Sequence, residues 1–141
     1  MKKATLMLTL MGLLTGVGYL AEARVYKPHS QVNDPRIVMQ LHQQMNLLSE
    51  SFVEIEEGES RGEVDYARIL RAVEKMEAAR QTVRQIVSNK AWAKPLNDLS
   101  LQLKQVRKAA IKENPLLLRR EIDSLYQTCF KCHAANAPKY E

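Results

Sequence analysis

Four stretches of the chain carry apolar residues at steps of three and four, the spacing that predicts amphipathic helices. The first helix begins at Asp34 and Pro35, an N-cap residue followed by a proline suited to the first helical position. Its apolar stripe consists of Val38, Leu41, Met45, Leu48, Phe52 and Ile55. The acidic, glycine-containing segment 56–62 then predicts a loop.

The second helix is predicted from about Glu63 to Ser88. Segment 89–95 predicts a break or a kink, because Pro95 has no N–H to donate; the third helix is therefore split at this proline or begins there, and ends near residue 113. Asn114 and Pro115 repeat the helix-start signal and open the last helix. Four amphipathic helices with short connections predict an all-α fold, an antiparallel four-helix bundle spanning residues 34–141.

The N-terminus has the pattern of a secretory signal peptide. Lys2 and Lys3 precede an apolar run over residues 4–20, and Ala21-Glu22-Ala23 is a small-x-small cleavage pattern. Residues 1–23 are therefore predicted to be removed, and 24–33 to be an irregular lead-in. The alternative is an uncleaved anchor, for which the apolar run is marginal in length; after cleavage no membrane attachment is expected.

Charge and composition restrict the classes of function that we expect for this chain. The formal net charge is +5, with basic and acidic residues interspersed rather than clustered, so we expect no nucleic-acid partner. No Ser/His/Asp arrangement and no pair of acids beside a clear substrate pocket is evident, and we expect no enzyme activity.

The most specific motif is Cys129-Phe130-Lys131-Cys132-His133, since Cys-x-x-Cys-His is the signature of covalent c-type haem attachment. On a helix, positions i and i+3 share a face, so both thiols can reach the vinyl groups along one haem edge. His133, four residues after Cys129, lies on that face as the proximal iron ligand. The cysteines extend the apolar stripe of the last helix, which predicts one haem near the C-terminal end of the bundle.

Three other uses of these cysteines are weaker alternatives. A disulfide across so short a loop constrains little of the unfolded chain. Zinc normally takes four ligands, and only His29 and His42 remain, both distant in sequence. A thioredoxin-like site would need a preceding strand in a βαβ pattern, which the chain lacks. If the cysteines formed a disulfide, the chain would be a helical interaction protein with a structural cysteine pair.

An exported four-helix chain with its single Cys-x-x-Cys-His near the C-terminus resembles the class II cytochromes c, cytochrome c′ and cytochrome c-556. Segment 45–52 and the Lys-x-Trp of segment 90–92 are similar to stretches of that family's first and third helices. The chain departs from the family after His133, and where the family tends to have an Arg that meets a haem propionate it has Leu41. Arg36 is a candidate for that contact, against an ordinary surface charge.

The resemblance implies attachment of haem outside the cytoplasm, hence a periplasmic protein with redox donor and acceptor proteins as partners, and a homodimer through its first two helices. It also places Met45 at the distal position of the iron. The alternatives are that Met45 is a core residue, or that His42, one turn earlier, is the ligand. Trp92 and Phe52 are candidates for packing on the haem, or for ordinary core filling.

The distal ligand separates two functions. A Met thioether opposite His133 suits an electron-transfer protein, and this periplasmic monohaem electron carrier is the function we expect. An iron left five-coordinate would instead make the protein a cytochrome c′ that binds small gases such as NO or CO.

Overall fold

The computed structural model describes residues 34–60, 62–87 and 90–136, with the backbone alone for 135 and 136. These residues form four helices: α1 (Pro35–Ser60), α2 (Tyr66–Ile86), α3 (Lys90–Ile111) and α4 (Pro115–Asn136). The predicted signal peptide and lead-in, residues 1–33, lie outside the described residues. The all-α prediction is confirmed for the described part of the chain.

Capping side chains start the helices where the sequence predicts them. The backbone N–H of Arg36 donates to Asp34 Oδ1 at 2.9 Å, which satisfies one of the open donors of the first turn. The N–H of Leu117 donates in the same way to Asn114 Oδ1, also at 2.9 Å. Asp65 caps α2 by accepting from the N–H of Arg68 at 2.8 Å.

The loop predicted for residues 56–62 is wrong over most of its length, because α1 continues to Ser60. Gly58 is buried in the last turns of α1 and its carbonyl accepts from the N–H of Asp65 at 2.9 Å. A Cβ at position 58 would lie 2.8 Å from Ile69 Cγ1. The glycine therefore allows α2 to approach α1, and it does not end the helix.

Pro95 lies inside α3, which begins at Lys90, so the break predicted over segment 89–95 does not extend to the proline. Pro95 is the sixth residue of α3, so the helix lacks the backbone hydrogen bond that an N–H at this position would donate. The second helix is slightly shorter than predicted at both ends, and Val87 caps it in an extended conformation.

Side-chain contacts show that neighbouring helices run in opposite directions. Between α1 and α2, Glu57 pairs with Arg68, and Glu54 pairs with Lys75 at 2.8 Å. Between α2 and α3, Arg84 donates to Asn97 at 3.2 Å and Arg107 to Glu74 at 3.5 Å. As residue numbers fall on one helix they rise on the next, and the packed pairs are consistent with a helical bundle.

The interior consists of two apolar clusters. The larger joins all four helices, with Ile55, Ile69, Met76, Leu103, Leu118 and Leu125 among its fully buried members. The smaller lies where α2 ends and α3 begins, and consists of Val83, Val87, Trp92 and Leu96, with Leu41, Met45 and Ile86 packed against it. None of the four described helices combines the length and the apolar character needed to cross a bilayer.

Candidate functional site

A cavity of about 190 Å³ lies between the helices and brings together five of the predicted site residues, Met45, Phe52, Cys129, Cys132 and His133. Its lining is mainly apolar and comes from all four helices: Met45, Leu48, Ser49, Phe52, Met76, Pro95, Leu96, Leu99, Tyr126, Cys129, Cys132 and His133. It is open at its rim, where Ser49 and His133 are exposed. The site is thus a cleft with one polar, accessible edge.

The last turns of α4 place the two cysteines and the histidine of the Cys-x-x-Cys-His motif on this cleft. Cys129 and Cys132 are one turn apart and partly buried, and His133 follows on the more exposed side. Both cysteines lie in the described part of the chain and form no disulfide. Two thiols and an imidazole therefore line one surface, as the helical spacing predicts.

Met45 lines the same cleft from α1. α1 and α4 run in opposite directions, and two contacts spaced by seven residues define their register. Glu59 pairs with Arg119 at 3.1 Å, and the rings of Phe52 and Tyr126 lie 6.2 Å apart. One further step of seven residues along each helix brings position 45 opposite position 133. Met45 and His133 therefore line the same cavity from opposite helices, at corresponding levels of α1 and α4.

Burial changes the acidity of the first thiol. Removal from water disfavours the thiolate and raises the pKa of Cys129 to about 11, and the nearby Cys132 thiol acts in the same direction. Cys129 is therefore a neutral thiol at physiological pH, and a neutral thiol is a poor nucleophile and a poor metal ligand.

The other distal candidate lies away from the cleft. His42 is exposed on α1 and does not line the cavity. Met39, on the same helix, is 58% exposed. His29, the remaining histidine, lies outside the described residues. Of the side chains on α1 with a lone pair suited to iron, Met45 is the one that lines the cavity.

The two aromatic residues expected to pack on a haem are placed differently. Phe52 lines the cavity, whereas Trp92 does not. The indole is buried in the smaller cluster, against which Met45 packs. Trp92 therefore belongs to the apolar cluster beside the cleft rather than to its lining.

Arg36, considered above as a partner for a propionate, is engaged by its own helix start. Its guanidinium donates to the Asp34 carboxylate at 3.0 and 3.3 Å, and this contact lowers the pKa of Asp34. The exposed pair reinforces the N-terminus of α1.

Seven residues of the lining were not expected from the sequence as site residues: Leu48, Ser49, Met76, Pro95, Leu96, Leu99 and Tyr126. Ser49 and Tyr126 are polar residues beside an apolar stripe, and Met76 reads as ordinary core. One signal was available for Tyr126, which stands seven residues before His133 and so returns to nearly the same helix face.

The donor set fits a haem better than a bare metal ion. Among the described residues, no group of three or more His, Cys, Asp and Glu side chains is arranged to hold a metal ion. A haem needs fewer protein ligands, because the porphyrin supplies four nitrogen atoms and the protein only the axial groups.

No family model matches the chain, and neither a curated protein nor a solved structure is significantly similar to it.

Proposed function

We propose that this protein is a periplasmic monohaem c-type cytochrome of the class II kind that acts as an electron carrier, and that it is not an enzyme. Cys129 and Cys132 would hold the haem through thioether bonds, His133 would be the proximal iron ligand and Met45 the distal one. The haem iron, when bound, would supply the reversible one-electron change between its ferric and ferrous forms.

A single observation carries this proposal: one cavity is lined by the Cys-x-x-Cys-His motif of α4 and, from the opposite helix, by Met45. The motif can hold a haem only if Cys129, Cys132 and His133 share a surface with room beside it. Here they do, and the lining around them is mainly apolar. Such a lining lowers the dielectric around the ligands, and burial and dielectric are among the terms that set an iron potential.

The chain's own residues favour electron transfer over substrate chemistry. Met45 packs against the smaller apolar cluster, so its thioether has a fixed neighbourhood on the cleft. An iron with both axial positions taken by the protein exchanges electrons without binding a substrate. Partners are then redox proteins that dock at the surface, and the mildly basic charge favours acidic ones.

Attachment of haem is tested with the exported protein, produced in cells that mature c-type cytochromes. We expect its band on a denaturing gel to retain haem after acid–acetone extraction. The double variant Cys129→Ala/Cys132→Ala removes both thiols and should lose that stain, while the protein is still made. A wild-type band without haem would refute the proposal.

The distal ligand is tested with Met45→Ala against a matched control, Met39→Ala, which removes an exposed methionine six residues earlier on α1. We expect the oxidised wild type and the control to show the weak near-red band of Met-to-iron charge transfer. Met45→Ala should lose it. If the band survives in Met45→Ala, Met45 is not the ligand.

The gas-binding alternative has its own signature. If nothing from the chain occupies the distal position, the ferric protein is high-spin and the reduced protein takes up CO or NO rapidly. A six-coordinate, CO-inert wild type eliminates that function.

A further inference from the structure

We propose that Phe52 and Tyr126 are positioning residues: their ring contact sets the gap between α1 and α4 and thereby holds Met45 within reach of the iron. This inference rests on the proposed function, since it concerns how the distal thioether stays bound. It assigns to the aromatic pair a role that the sequence motif does not contain.

The gap needs a support because α1 and α4 pack together least extensively of the contacting helix pairs. α1 is held mainly by α2, and α4 mainly by α3. The cleft lies between the two loosely joined helices, with one axial ligand on each. Any change in their separation is therefore a change in the distance between Met45 and His133.

Two contacts join these helices, and they lie fourteen and seven residues from the level of Met45 and His133. Farthest from the motif is the ion pair of Glu59 and Arg119, whose arginine side chain is 70% exposed. An exposed ion pair contributes little to holding two helices at a fixed separation. Nearer to it is the ring contact of Phe52 and Tyr126, which lies between that ion pair and the level of Met45 and His133.

The ring contact is therefore the nearest support beneath the ligands. Phe52 is partly buried and packs against the larger core cluster, which fixes it to the bundle. Tyr126 is 53% exposed, and its ring, tilted by 36° to that of Phe52, faces it across the gap. The contact between the two rings limits how far α1 and α4 can separate.

Loss of this contact shifts the balance between bound and released Met45. An aromatic pair contributes enough that its removal changes an equilibrium constant by about tenfold. Because CO must displace Met45, the apparent affinity of the reduced protein for CO rises with the fraction in which the thioether is released. We therefore expect that affinity to rise about tenfold.

The experiment compares Tyr126→Ala with two controls in the haem-loaded protein. Tyr126→Phe keeps the ring and removes only the hydroxyl. Phe130→Ala removes an aromatic residue that is 60% exposed one turn farther along α4 and lies outside the cavity lining. For each we measure the near-red thioether band and the apparent affinity for CO, with haem content and thermal unfolding recorded alongside.

We expect Tyr126→Ala to bind CO about tenfold more tightly than the wild type, with a weakened thioether band and an unchanged haem content. Both controls should match the wild type. Phe52→Leu, which keeps an apolar core residue and removes the ring, should repeat the effect from the α1 side. Equal CO affinities in wild type, Tyr126→Ala and Phe52→Leu would overturn the inference.

Results that contradict the proposed function differ from results that contradict the positioning role. A wild type without haem, or without the thioether band, contradicts the proposed function before any variant is compared. A wild type with the band and variants indistinguishable from it contradicts the positioning role alone.

Discussion

Replacing Gly58 with alanine tests how closely α1 and α2 approach. Gly58 is buried in α1, seven positions before its N–H partner Asp65 at the start of α2. A Cβ built there lies 2.8 Å from Ile69 Cγ1 and 3.3 Å from Ile69 Cδ1. Ile69 is fully buried, so its side chain has no open space into which to turn.

Two opposing effects set the magnitude. Alanine is a better helix former than glycine by about 1 kcal/mol, which favours the substitution. Crowding a packed core with one methyl group costs roughly 1–3 kcal/mol. Because the nearest atom belongs to an immobile side chain, we expect crowding to win and Gly58→Ala to lower the free energy of unfolding by about 1 kcal/mol. For a domain of this size the midpoint of thermal unfolding would fall by about 4–8 °C.

A double-mutant cycle isolates the cause. In an Ile69→Ala background both crowding atoms are gone, and only the helix preference remains. Gly58→Ala should then become stabilising, by about 1 kcal/mol relative to Ile69→Ala alone. Urea titrations of the four proteins measure the sign change. If Gly58→Ala raises stability with Ile69 in place, the close approach of α1 and α2 is refuted.

Two further predictions concern ionisable groups. The Arg80 guanidinium, only 7% exposed, donates to Glu77 at 2.6 and 2.9 Å and holds the pKa of that carboxyl below its usual 4.5. A lowered pKa stabilises the fold above pH 4.5, and this gain in stability is lost as the pH falls below it. Glu77→Gln should therefore lower the free energy of unfolding by about 1–3 kcal/mol near pH 7, and by less in acid. A difference between wild type and variant that does not change with pH in urea titrations would contradict this. In haem-free protein, alkylation of Cys129 by iodoacetamide should stay slow at neutral pH and accelerate toward pH 11, because burial raises the pKa of the thiol to about 11; peptide mapping that finds the rate already at its plateau by pH 9 would show the thiol to be accessible to water.

Much of the fold and of the site could be predicted from residues that lie close together in the sequence. Asp34 and Asn114 cap helices because their side-chain oxygens satisfy open N–H groups, a requirement that depends only on nearby residues. The motif cysteines and His133 share a face for the equally local reason of helical spacing. Met45, predicted on the stripe of α1, lines the same cavity as His133.

Features that depend on a neighbouring helix were missed. From the sequence alone, Gly58 predicts the end of a helix. In the structure, it lies within α1 and allows Ile69 to pack against that helix. The spacing of Tyr126 from His133 predicts the face of α4 on which it lies, but not its neighbours across the cavity, because the register of α1 against α4 is a tertiary property. Trp92, a candidate for haem packing or for core filling, lies in the smaller cluster with Val83 and Leu96.

Covalent haem on α4 is tested most directly by mass spectrometry of the intact exported protein under denaturing conditions, followed by digestion. We predict a mass greater than that of the polypeptide by one haem, with the added group on the peptide that contains both Cys129 and Cys132. An intact mass equal to that of the bare polypeptide, or haem that dissociates on denaturation, would contradict the assignment.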